Sequence, residues 1–94
     1  MNLESRIEVF LWDNYTFIHA DILNDLSKKL VKRIKLYKET MAWLDLDKIY
    51  FSKRIMYETI HIRVEFCNKH DTARSIMPLR YNYATQKLKD ANEY

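Results

Sequence analysis

Apolar residues recur most clearly between residues 21 and 44. Leu23, Leu26, Leu30, Ile34, Tyr37, Met41 and Leu44 follow one another at spacings of three and four. That period predicts one long amphipathic helix from about Asp21 to Leu44. Asp21 suits the N-cap, and Asp25 falls in the first turn, where negative charge complements the helix dipole. Residues 57–67 follow a different rule. Ile60, Ile62, Val64 and Phe66 alternate with Thr59, His61, Arg63, Glu65 and Cys67, the period of a strand with one buried face. Residues 48–52 predict a short strand. Residues 75–83 predict another, which Pro78 would place at a sheet edge. Residues 6–12 fit two periods. Ile7, Val9 and Leu11 alternate, whereas Leu3, Ile7, Phe10 and Leu11 make a helical stripe. Their β-branched and aromatic content tips the reading to a strand. Residues 84–90 read as one or two helical turns, with a frayed polar end beyond them.

The expected architecture is therefore α+β and a single domain over residues 1–94. A small antiparallel sheet of three to four strands packs on one long amphipathic basic helix. A mostly α chain is the alternative, resting on the ambiguity of residues 1–18. Ninety-four residues support one modest core.

The chain contains no glycine, where an average domain carries about 7%. Residues with AT-rich codons, notably lysine, isoleucine, asparagine and tyrosine, are abundant instead. The absence excludes phosphate-cradling loops of the Walker and dinucleotide types, which need glycine for close backbone approach. It excludes nucleophile elbows for the same reason. The one cysteine, Cys67, has no internal disulfide partner and suggests a reducing compartment. The first residues show no basic stretch leading into an apolar run, so no secretory leader is expected. No apolar run approaches about 18 residues, so no membrane span is expected. A cytoplasmic location follows as the expectation.

The net charge of +3 conceals segregation. Residues 1–27 hold one base and five acids, residues 28–38 hold six bases and no acid, and residues 48–89 hold nine bases and three acids. Segregated charge often faces a partner. Lys28, Lys32 and Lys35 form a row on the predicted helix, flanked by Lys29, Arg33 and Lys38. Lys53, Arg54, Arg63, Lys69, Arg74 and Arg80 fall on or beside the predicted sheet, interleaved with Tyr50, Tyr57, Tyr81 and Tyr83. Cations beside aromatics suit phosphates and stacked bases, so nucleic acid, RNA or DNA, is the first expected partner. The competing reading is a solvated helix face and tyrosines that merely rim a core.

Tyr, Trp, Met and Arg also favour protein interfaces, and Trp43 and Tyr57 are candidates for one. A host protein or a second copy of the chain is the alternative partner. No cofactor is expected. Cys67, His61 and His70 do not make a zinc site, because His61 and Cys67 stand about 20 Å apart along one strand. In length and element order the chain is similar to small toxin ribonucleases of the RelE type. No motif maps residue by residue, so a metal-independent ribonuclease using His61 or His70 stands only as a further alternative. In composition the whole chain resembles the short early proteins of AT-rich bacteriophages. That resemblance implies a non-enzymatic accessory protein acting on a host nucleoprotein, or on a host defence or toxin system.

Overall fold

The computed structural model describes residues 2–56 and 59–91, with side chains for all of these except residues 54–56. Two helices precede four strands. They are α1 (Leu3–Asn14), α2 (Ala20–Thr40), β1 (Leu44–Met56), β2 (Thr59–Asn68), β3 (Arg74–Asn82) and β4 (Lys87–Asp90). The strands form one antiparallel sheet in the order β1-β2-β3-β4, so every pairing joins neighbours in sequence. Both helices lie on one face of the sheet. The fold is α+β, but it has two helices rather than one.

The segment expected to be the first strand is α1. Leu3, Ile7 and Leu11 are buried at a spacing of four, while Val9 is 47% exposed. The helical stripe thus outweighs the alternation. Asn2 caps this helix by accepting from the Ser5 amide at 2.8 Å. Phe10 stacks on Phe51 of β1 at 5.3 Å, seating α1 over that strand.

Helix α2 buries Leu23, Leu26, Leu30 and Ile34, as the periodicity predicts. His19, not Asp21, is its N-cap, and its Nδ1 accepts from the Asp21 amide at 3.1 Å. The helix ends at Thr40, short of Leu44. There the Lys38 ammonium donates to the carbonyls of Ala42 and Leu44 and closes the turn into β1.

Strand β1 is longer than expected and irregular near its start. Leu44 pairs with Asn68 and Ile49 with Phe66, so five steps on β1 face two on β2. The Arg6 guanidinium donates to the carbonyls of Leu46, inside this irregular stretch, and of Ile49, where regular pairing resumes. Residues 87–90 form β4 rather than a helical turn, with Leu88 packed against the core. Pro78 therefore lies on an interior strand. Its carbonyl accepts from the Ala91 amide at the end of β4, so its missing N–H faces the side where β4 stops. The β2 ladder loses nothing.

The inner face carries Ile60, Ile62, Val64 and Phe66 of β2 with Met77, Leu79 and Tyr81 of β3, all buried against the helices. Two tyrosines of this core differ sharply. The Tyr81 hydroxyl donates to Asp25 Oδ2 at 2.6 Å. The Tyr15 hydroxyl is buried with no hydrogen-bond partner among the described residues.

Without glycine, the turns rest on asparagine. Asn68 Oδ1 accepts from the amides of Thr72 and Ala73 in the β2–β3 turn. Asn82 Oδ1 accepts from Ala84 and Thr85 in the β3–β4 turn. Each turn also holds one residue in the left-handed region, Asp71 at φ 57° and Gln86 at φ 56°.

Two predictions follow from this packing. Tyr81→Phe loses a hydrogen bond to a charged group and costs about 1.5–3 kcal/mol in urea unfolding, whereas Tyr15→Phe removes an unpartnered hydroxyl and leaves stability equal or higher. Gln86→Gly relieves the left-handed backbone by about 1 kcal/mol, raising the melting temperature by about 4–8 °C in calorimetry.

Candidate nucleic-acid interface

The face of the sheet turned away from the helices has no covering layer among the described residues. Strand register sets its side chains in rows. Tyr50, Glu65 and Ile76 form one row, and Ser52, Arg63 and Pro78 the next. His61, Arg80 and Lys89 form a third, and Thr59, Asn82 and Lys87 a fourth. Arg54 holds the β1 position opposite His61 in the third row. Its side chain lies outside those described, as does all of Tyr57. The expected frayed end, residues 92–94, also lies outside them.

The rows grade from apolar to basic. A shallow hollow lined by Ser52, His61, Arg63, Ile76 and Pro78 spans the change. A second hollow, lined by Arg80, Lys87 and Lys89 with Thr59, Asn82 and Thr85, lies at the basic end. Its lining holds cations and neutral hydrogen-bonding groups but no carboxylate. Arg63, Lys87 and Lys89 form no ion pair among the described residues.

The six cations of residues 28–38 do not act as one array. Lys29 pairs with Asp25 at 2.7 Å and donates to the Gln86 carbonyl. Arg33 pairs with Asp90 at 2.9 Å and donates to the Leu88 carbonyl. Lys35 pairs with Glu4 of α1 at 2.8 Å, and Lys38 closes the helix end. These four bind the helix to α1, β4 and the following turn. Lys28 and Lys32 remain exposed without an ion pair among the described residues.

The sheet set divides too. Lys53 alternates onto the helix-facing side, donating to the Asn14 carbonyl at 3.1 Å and lying 5.9 Å above the Tyr15 ring. Arg74 meets Glu65 at 3.4 Å, and Lys69 is exposed in the β2–β3 turn. Tyr81 is a core residue, and Tyr83 packs against the core, so neither is a stacking platform. Trp43 is 40% exposed in the turn before β1.

Strand β4 joins what remains. The groove between α2 and β4 is lined by Lys29, Lys32, Arg33, Lys87 and Lys89. Its nearest carboxylates, Asp25 and Asp90, are already held by Lys29 and Arg33. A continuous basic surface thus runs from Lys32 over the β4 rim to Arg80 and Arg63. Lys87 and Lys89 are absent from the sequence-based set because residues 84–90 read as helix. Their alternation about Leu88 was the available strand signal. For the catalytic alternative, His61 and Glu65 share a face of β2 but lie about 13 Å apart along it.

Comparisons with protein-family models, curated proteins and solved structures gave no significant match.

Asp25 marks how firmly α2 is held. The Lys29 ammonium, and then the Tyr81 hydroxyl, hold its carboxyl below the usual aspartate range. A lowered folded-state value stabilises the fold above the ordinary range, and that contribution is lost as pH falls through the folded value. Stability against urea should therefore fall below about pH 4, and Asp25→Asn should flatten that acid limb.

Proposed function

We propose that this protein is a small accessory protein that binds nucleic acid through the basic surface around β4. The supporting observation is the convergence of Lys32 from α2 with Lys87 and Lys89 from β4 on a surface whose neighbouring carboxylates are already paired. Phosphates neutralised there release counterions, which supplies affinity without any shaped catalytic pocket. Lys28 and Arg63 extend the surface at either end. The compositional resemblance to early proteins of AT-rich phages fits such a role, with a host nucleoprotein as the wider target.

A second reading has its own support. The outward side of α1 presents Val9 beside Glu8, Trp12 and Asp13, and the loop after it leaves Phe17 65% exposed. This acidic and apolar patch suits a protein partner, and it lies on the broad face opposite the open sheet.

Equilibrium binding separates the two readings. Affinity for labelled RNA or DNA should fall about a hundredfold as salt rises from about 50 to about 200 mM. A Lys32→Glu, Lys87→Glu, Lys89→Glu variant with unchanged melting should bind far more weakly and show a shallower salt dependence. Wild-type protein that binds no nucleic acid at low salt overturns the proposal and leaves the Val9–Phe17 patch as the surface to pursue.

A further inference from the structure

The open sheet face carries more than charge. Tyr50 is 52% exposed and Ile76 47% exposed, and Pro78 stands beside them in the adjacent row. They line an apolar lane interrupted by Glu65, with Arg63 in the row beside it, Arg80 and Lys89 in the row after that and Lys87 in the fourth. Within that lane Glu65 is half-buried and within 3.4 Å of Arg74. A carboxylate there repels phosphate but accepts hydrogen bonds from base edges such as the cytosine amino group.

Resting on the nucleic-acid reading above, the geometry points to a single-stranded ligand, with its phosphates on the cationic rows and its bases on the Tyr50–Ile76–Pro78 lane. This face fits a single strand better than a duplex. A duplex turns phosphates outward and hides its base faces, so it would desolvate the apolar lane without filling it. An unpaired strand has one anionic edge and one planar apolar edge, and it matches both lanes at once. Four strands at about 4.8 Å spacing span about 14 Å before side chains are added, which exceeds the major groove of about 12 Å. The sheet therefore cannot enter a duplex as a two-stranded ribbon does. The hollow lined by Arg63, His61, Ile76 and Pro78 sits where the lanes meet, the position of a sugar between its base and its phosphate.

The test is fluorescence anisotropy with short homopyrimidine strands of RNA and of DNA, and with blunt duplexes of the same length. Single strands should bind about tenfold tighter than duplexes or better. Tyr50→Ala and Ile76→Ser should each lower single-strand affinity about tenfold while leaving duplex affinity and the salt slope unchanged. Tyr50→Phe keeps the ring and should keep the affinity. Both side chains are exposed, so melting temperature should hold and report an intact fold. Duplexes bound as tightly as single strands, or Tyr50→Ala without effect, would overturn the single-strand assignment and leave the nucleic-acid reading in place. Failure to bind any of the four probes would overturn both.

Discussion

A four-stranded sheet that, among the described residues, is covered on one face only is the constraint from which the rest of this structure follows. The two helices seal Ile60, Ile62, Val64, Phe66, Leu79 and Tyr81 beneath them, and the molecule is only 19 Å across its thinnest axis. The alternate residues of the same strands, the buried Cys67 apart, then lie at the surface, partly or fully exposed. This open face carries Arg63, His61, Arg80, Lys87 and Lys89. Tyr50 and Ile76 are the exposed large apolar residues on it.

Basic side chains do two separate jobs here. Arg6, Lys29, Arg33, Lys38 and Lys53 each donate to backbone carbonyls at a bulge, a turn, an element end or, for Leu88, within the edge strand β4. Most of these are the orphan acceptors that every helix terminus and irregular strand leaves behind. A net charge therefore overstates the positive surface offered to a partner. Lys87 and Lys89, which form no ion pair among the described residues, lie on β4, where edge-strand lysines also discourage pairing with another sheet.

The sequence disclosed elements whose period was unopposed. The alternation at residues 59–67 became β2, and the stripe from Leu23 to Ile34 became the buried side of α2. It misled where two periods overlapped. In residues 3–11 the choice between Val9 and Leu3 as a core residue decides between strand and helix, and only the position of β1 beneath Phe10 resolves it. It also misled at residues 87–90, because a four-residue strand is stabilised by its neighbour β3 rather than by its own preferences. The site suffered from the same limit. Cations on one helix look alike in sequence, yet Asp90 and Glu4, distant in the chain, remove Arg33 and Lys35 from the free surface and leave Lys32 on it. Lys53 was displaced to the covered side by the register of β1 with β2.

The topology has a consequence for biosynthesis. Every strand pairs with its neighbour in sequence, so each hairpin closes over a short loop and the sheet grows from local contacts. The helices stand in the opposite situation. Leu3, Ile7 and Leu11 of α1, and Leu23, Leu26 and Leu30 of α2, are translated before the strands that cover them. On the ribosome these apolar residues therefore wait without their cover until β2 and β3 emerge. The covering layer of the finished protein is the vulnerable half of the nascent one.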